Sequence, residues 1–199
     1  MKSWDEIRPW RKTQRETLLQ ARVAAGAEVR KGWSAAMEPE IRRIVDARQL
    51  ASIGFYWPFR GEFDPRNLAR ALSEGGTMMA LPTVVQAKAP LEFRRWTPGT
   101  EMEIGVYNIP FPKQRDIVEP ELLLVPLVGF DGEGYRLGYG GGYYDRTIAA
   151  FARRPFALGI GFELSRLPTI YPQPHDLAMD AIVTEAGVWR PAPRRETGG

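Results

Sequence analysis

The chain has 199 residues, 44% hydrophobic and 26% charged, with a formal net charge of +3. That length suits one domain with a substantial core and no need of staples. With no cysteine and one histidine, His175, the sequence excludes disulfides, thiolate nucleophiles, cysteine-bound zinc and any multi-histidine metal centre. No apolar run approaches membrane-spanning length and the N-terminus lacks a signal-like apolar stretch, so a cytoplasmic protein without a membrane partner is expected. Basic residues are spread along the chain apart from clusters at 8–15 and 194–195. That pattern argues for an anionic small ligand rather than nucleic acid, and a monomer is expected.

Asp5 is a candidate cap for a first helix whose opening turn tolerates Pro9, since the early N–H groups are unpaired in any case. Arg8, Arg11, Arg15 and Arg22 recur on one face of it as a basic stripe, read most plainly as solvated. Trp10, Leu18, Ala21 and Ala25 supply its apolar side. A second helix is predicted over 27–47, interrupted near Pro39, with Met37, Ile41, Ile44 and Val45 as its apolar stripe. A buried strand follows at 52–57. Asp64 and Pro65 then open a helix that Gly75 and Gly76 stop. A second strand at 77–81 ends at a proline, and a more exposed one occupies 91–96. The stretch 97–120, rich in proline and charge, reads as loop. Further strands are predicted at 122–125, 156–162 and 181–184, with a short helix over 143–151. The residues after 189 form a tail expected to be disordered.

Strands that are nearly continuous apolar runs, alternating with helices, predict an α/β fold. It is a single domain over 1–189 with an open, mainly parallel sheet and helices on both faces, a Rossmann-like three-layer arrangement. Ligands of such sheets bind beyond the carboxyl ends of the strands, where the strand order reverses. The stretches after Pro58, after Pro82 and after 125 all follow strand ends, so Glu62 and the segment after 125 are expected to share a cleft.

That segment, 125–146, carries Gly129, Gly132, Gly134, Gly138, Gly140, Gly141 and Gly142 and then enters a helix. Glycines ahead of a helix N-terminus offer exposed N–H groups to phosphate, although a long mobile turn without a ligand remains the plainer alternative. The P-loop pattern is excluded because no lysine follows the glycines. The dinucleotide pattern fails because Tyr143 stands where its third glycine belongs.

The run R-L-G-Y-G-G-G-Y-Y-D-R at 136–146, with V-P-L-V-G-F-D before it and H-D-L-A-M-D after it, resembles the 5-formyltetrahydrofolate cyclo-ligase family. The similarity spans about residues 11–185, with 55–65 and the Asn108-Ile109-Pro110 segment in the expected order. The resemblance implies ATP- and magnesium-dependent closure of 5-formyltetrahydrofolate to 5,10-methenyltetrahydrofolate, releasing ADP and phosphate. The formyl oxygen is phosphorylated first, and N10 then attacks the activated carbon. It implies an ATP site of Arg11, Lys12 and Arg15 with Arg136, Gly138, Tyr139, Gly140, Gly141, Gly142, Tyr143 and Tyr144. Of these, Arg136 and Tyr144 are candidate catalytic residues. The family commonly has lysine where Arg11 stands, and some members carry a basic residue at Tyr139. Asp145 and Asp176 match its magnesium positions, with Asp180 a nearby competitor for the second. Trp57, Glu62 and Tyr107, with Tyr139 and Tyr143, match or adjoin its folate side. His175 is read as a neighbour of the site. Two other readings stay open: a sugar-phosphate isomerase or acyl transferase on a similar sheet, and a non-catalytic relative that binds folate or nucleotide.

Overall fold

A computed structural model describes residues 2–191. The expected tail at 190–199 therefore lies almost wholly outside the described residues. Helix α1 (Trp4–Ala24) and helix α2 (Ala27–Asp46) lead into strand β1 (Ser52–Gly54). Helix α3 (Arg66–Glu74), strand β2 (Met78–Thr83) and strand β3 (Glu92–Trp96) follow, then a small hairpin of β4 (Met102–Ile104) and β5 (Pro110–Pro112). After β6 (Leu122–Pro126) a second hairpin, β7 (Gly129–Asp131) and β8 (Arg136–Leu137), leads to α4 (Tyr143–Ala150). The chain finishes with β9 (Phe156–Ile160), the short β10 (Arg166–Leu167), β11 (Ala181–Thr184) and β12 (Gly187–Trp189).

Seven strands form one sheet in the order β12-β11-β9-β6-β1-β2-β3. The five central strands run parallel, while β3 and β12 pair antiparallel at the two edges. Alternation along the strands assigns the two faces. Ile53, Leu122, Leu124, Leu158, Ile160, Ala181 and Val183 turn one way, against Met37, Ile41, Ile44 and Val45 of α2 and Leu68, Ala69 and Leu72 of α3. Leu123, Val125, Ala157 and Ile182 turn the other way, against Ile148 of α4 and Phe130 of the second hairpin. Side chains one residue apart on a strand point to opposite faces, so the continuous apolar runs feed two cores at once. The three-layer α/β expectation is met.

Local boundaries depart from expectation for identifiable reasons. Ser3, not Asp5, precedes α1, and its N–H and hydroxyl both donate to the Glu6 carboxylate, at 2.8 and 3.0 Å. Pro9 therefore lies in the second turn rather than the first. Pro39 does not interrupt α2; it and Ala35, whose carbonyl would have used the missing N–H, are both exposed, so water can serve that carbonyl. Pro65 sits one position before α3, and the Asp64 carboxylate accepts from the Arg66 N–H at 3.0 Å.

The strand at 52–57 is paired only over β1, and β2 runs through Pro82 to Thr83. Proline is tolerated there because β2 has by then passed the end of β1 and pairs only with β3. Strand β3 is less exposed than expected, with Phe93, Arg94 and Trp96 buried. The loop expected at 97–120 holds the β4–β5 hairpin. The strand expected at 156–162 stops at Ile160, and β12 was not anticipated.

The sheet order shows where a ligand belongs. From β1 the chain moves through α3 to β2 on one side. From β6 it moves through α4 to β9 on the other. The switch point thus lies between β1 and β6, beyond their carboxyl ends.

Candidate functional site

Four segments meet at that point. The chain leaving β1 delivers Glu62, β6 delivers Leu127 and the glycine hairpin, α4 delivers Tyr144 and Asp145, and α1 crosses above them. Much of the supposed glycine loop is ordered structure. Asp131, only 1% exposed, accepts from the Glu133 and Tyr135 N–H groups with one oxygen and from the Ile170 N–H with the other. A buried aspartate with three backbone donors sets the β7–β8 turn and ties it to the segment at 170. Sequence reasoning overlooked it; the signal was an Asp-Gly pair between two short apolar runs.

The part outside turn, strand and helix shrinks to residues 138–142. Gly140 has φ +96° and Gly142 φ +64°, left-handed conformations that favour glycine. Arg15 packs against this turn: its Nε donates to the Gly138 carbonyl at 2.8 Å, and its guanidinium would be in ordinary contact, 3.6 Å, with a Cβ at Gly140. Burial, and then the charge of Arg11, lower the pKa of Arg15, so an anion placed here would relieve a like-charge conflict. The first N–H groups of α4, beginning at Tyr143, open onto the same loop.

The arginine stripe of α1 turns inward. Ile7, Arg11, Leu18 and Arg22 form its buried face, while Ala21 is exposed. Expecting a solvated face was wrong for Arg11 and Arg22, because the helix turns them toward the carbonyls of Ile170, Tyr171 and Leu127 and the carboxylates of Asp176 and Glu62. Arg11 is saturated. Nε donates to the Ile170 carbonyl (3.0 Å), Nη2 to the Tyr171 carbonyl (2.9 Å) and to Asp176 Oδ2 (2.5 Å), and Nη1 to Asp176 Oδ1 (3.4 Å). Asp176 Oδ2 also accepts from the Gln173 N–H at 2.7 Å. This clasp holds the 170–176 segment, in which Tyr171 has the left-handed φ of +54°.

Asp145 is engaged in the same manner. Arg136 reaches both its oxygens, at 3.1 and 3.0 Å, and the Leu177 N–H adds a third bond at 3.0 Å. Both expected magnesium ligands are thus committed to guanidinium groups and do not form a ready-made ion site. Among the described residues no group of three His, Asp or Glu side chains could hold a metal. Asp180 pairs with Arg154 and accepts from the Ala157 N–H, each at 2.7 Å. It therefore ties the amino-terminal ends of β9 and β11, away from the cleft.

Glu62 lies at the centre of a second cluster. Its side chain is 4% exposed; the Tyr139 hydroxyl donates to it at 2.6 Å and the Phe59 N–H at 2.8 Å, while Arg22 Nη1 stands 3.9 Å away without a hydrogen bond. Burial pushes its pKa up to about 7, against the opposing pull of Tyr139, Arg22 and the Phe59 N–H. Burial and the Glu62 charge raise the phenols of Tyr139 and Tyr144. Among the described residues four buried side-chain polar atoms lack a hydrogen-bond partner, and three of them, Arg22 Nη1, Tyr144 Oη and Arg146 Nε, belong to this site. An unmet buried donor costs about 1–3 kcal/mol, and native proteins carry few, so their concentration marks a place built for something else to bind.

The remaining sequence candidates are dispersed. Lys12 is exposed on α1. Trp57 packs on the main core with the Arg66 guanidinium 4.9 Å from its ring. Tyr107 is 66% exposed on the 3₁₀ turn between β4 and β5, with φ +59°. Tyr143 is half-buried beneath the Arg146 guanidinium, 5.4 Å from its ring centroid. His175 is exposed and packs edge-on to Trp4, 6.5 Å away. The residue that sequence reasoning left outside the site is Arg22, legible only as the last member of the stripe.

The model of the 5-formyltetrahydrofolate cyclo-ligase family matches residues 7–185. The 5-formyltetrahydrofolate cyclo-ligase of Mycolicibacterium smegmatis is 31% identical over 179 residues, covering 85% of this chain and 91% of its own. That of Haemophilus influenzae is 32% identical over 136 residues, covering 63% and 73%. The solution structure of Aquifex aeolicus 5,10-methenyltetrahydrofolate synthetase superposes with a TM-score of 0.79 at 25% identity, over 95% of this chain and 96% of that one.

Proposed function

The chain belongs to the 5-formyltetrahydrofolate cyclo-ligase family, and on that premise we propose that it closes 5-formyltetrahydrofolate to 5,10-methenyltetrahydrofolate at the expense of ATP. One observation carries the assignment to this cleft. The unmet buried donors and the buried carboxyl of Glu62, its pKa pushed up to about 7, gather at the switch point, beside a glycine turn that opens onto a helix N-terminus.

The formyl oxygen is a poor leaving group, so ring closure needs it converted to a phosphate ester. Phosphoryl transfer rests mainly on positioning and on offsetting charge over the phosphate oxygens. The 138–142 turn, the first N–H groups of α4 and Arg15 have the chemistry to hold ATP's phosphates. Arg136, kept in place by Asp145 and the Leu177 carbonyl, stands at the base of the same turn. The formyl oxygen attacks the γ-phosphorus and ADP leaves. N10 then attacks the formyl carbon, phosphate departs with the former formyl oxygen, and N10 loses its proton. Glu62 is suited to accept N–H donors of the folate, and Tyr139 and Tyr143 to flank its rings.

Magnesium, when it enters with ATP, offsets phosphate charge. The carboxylates of Asp145 and Asp176 are engaged as they stand, so the ion is proposed as a companion of the nucleotide rather than a resident of the protein. A monomer remains the proposed state. No helix of the described residues is long and apolar enough to cross a membrane.

Purified protein mixed with ATP, magnesium and 5-formyltetrahydrofolate should develop the near-ultraviolet absorbance of the methenyl product, with one phosphate released per ring closed. Oxygen-18 placed in the formyl group should appear in that phosphate. ATP consumption without closure, or label recovered in water, would overturn the mechanism. Folate binding with neither event would favour the non-catalytic alternative.

A further inference from the structure

We propose that Arg22 is a positioning residue of the folate subsite: its buried guanidinium, anchored on the Leu127 carbonyl, favours the ionised form of the Glu62 carboxylate and aims it so that both oxygens can accept a pair of substrate N–H donors. The proposal rests on the folate reading of the site. Arg22 is 2% exposed, and an arginine this deep is kept for its partners. Nη2 donates to the Leu127 carbonyl at the end of β6, and the Arg22 carbonyl is itself fixed by Arg30 Nη1 at 2.9 Å. The head group is therefore held from both ends of the residue. Nη1 nevertheless makes no hydrogen bond and stands 3.9 Å from Glu62 Oε1. That separation is too long for a hydrogen bond yet close enough for the charge to be felt.

The other groups around Glu62 cannot do this work. The Tyr139 hydroxyl, on the glycine turn, and the Phe59 N–H are neutral donors. The Tyr56 hydroxyl, after β1, is turned to the Phe63 carbonyl at 3.0 Å. Tyr144, on α4, is neutral with its phenol raised. Arg136 is committed to Asp145, and Arg30, on α2, lies against Gly61 and the end of α1. Arg22 is thus the cation directed at the carboxylate itself.

A reduced pterin presents an amino group beside a ring N–H, two parallel donors that an ionised carboxylate accepts together. A protonated carboxyl offers one acceptor and one competing donor. With Glu62 titrating at about 7, small changes in the field of Arg22 decide which form meets the substrate. The Tyr144 hydroxyl, buried and unpartnered beside the same carboxylate, adds a donor for a substrate oxygen.

The test measures Glu62 directly. Protein labelled with carboxyl-¹³C glutamate is titrated by NMR, with Glu62→Gln identifying the signal, in wild type, Arg22→Gln and Arg22→Lys. Removing an opposite charge at this range should move the Glu62 midpoint up by about one pH unit or more in Arg22→Gln, and much less in Arg22→Lys. At pH 7 the kcat/KM for 5-formyltetrahydrofolate should fall about tenfold in Arg22→Gln and recover as pH is raised, while ATP binding to the free enzyme is unchanged. A folded Arg22→Gln protein with an unmoved midpoint, or a folate defect independent of pH, overturns the proposal and leaves Arg22 a packing residue.

Should Arg22→Gln fail to fold, Arg22→Lys decides the matter. It keeps the charge but cannot hold Leu127 and Glu62 together, so the midpoint stays and the folate KM rises several-fold. An unchanged KM overturns the proposal. If wild-type protein closes no ring, the folate reading fails by itself, and the NMR titration still reports whether Arg22 governs Glu62.

Discussion

Arg11 and Arg22 lie three helical turns apart on one face of α1, both almost fully buried, and they have opposite characters. Arg11 has a partner on each of its three nitrogens and faces a carboxylate at 2.5 Å. Arg22 has an idle Nη1 and faces its carboxylate at 3.9 Å. A buried charge with every nitrogen partnered closes a structure. A buried charge with a donor in reserve leaves a cost of about 1–3 kcal/mol for a ligand to remove. The two ends of one helix thus divide the labour: the amino-terminal half fixes the loop at 170–176, and the carboxyl-terminal half overlooks the cleft at the switch point. This also gives the arginine at position 11 a local reason. Only a guanidinium can span two carbonyls and both oxygens of Asp176, where a lysine would hold one or two of them.

The comparison breaks most visibly at Arg11. Arg11→Ala leaves Asp176 buried without its cation, so stability to denaturant should fall by about 3–5 kcal/mol. A stable variant with weakened ATP binding would show instead that Arg11 leaves its clasp for phosphate.

The next effect separates Glu62 from the paired aspartates by pH. Its pKa in the folded protein is raised to about 7 from the ordinary 4.5, so between these values the folded state holds a proton that the unfolded state has lost. Stability contributed by this group is present below about 4.5 and is lost as pH rises through about 7, a change on the order of 3 kcal/mol. Glu62→Gln should abolish that slope in urea titrations across this range, and an identical slope in the variant would place the titration elsewhere.

Asp145→Asn weakens the two-pronged hold on Arg136, and a loss of about 1–3 kcal/mol is expected in thermal unfolding. A raised magnesium requirement at undiminished stability would move Asp145 from arginine holder to ion ligand. The smallest effect belongs to the turn itself. Gly142→Ala must adopt φ +64° with its Cβ 2.8 Å from Arg146 Nη1, and this should cost about 1 kcal/mol, read as a higher ATP KM. An unchanged KM would remove the turn's left-handed geometry from the nucleotide site.

Local chemistry was enough for much of this molecule. The apolar runs at 122–125 and 181–184, with the stripe Met37, Ile41, Ile44 and Val45, already implied a parallel sheet sandwiched by helices, because burial on both faces demands continuous apolar strands. The 136–146 motif identified the family, since a motif is a contiguous signal, and the place of Glu62 beyond a strand end put it in the same cleft. Tertiary structure alone decided the rest. Whether Pro9 and Pro39 break their helices depended on whether the deprived carbonyls face water. Whether the arginine stripe faced solvent depended on where α1 lies across the sheet. Asp145 and Asp176 became partners of Arg136 and Arg11, the latter 165 residues away, through distances that no local pattern encodes. The electrostatic state of Glu62 was the least legible of all. Burial sets it, and burial is a property of the assembled layers: Tyr139 from the glycine turn, Tyr144 from α4 and Arg22 from α1 reach that carboxylate only after the sheet has closed its switch point between β1 and β6.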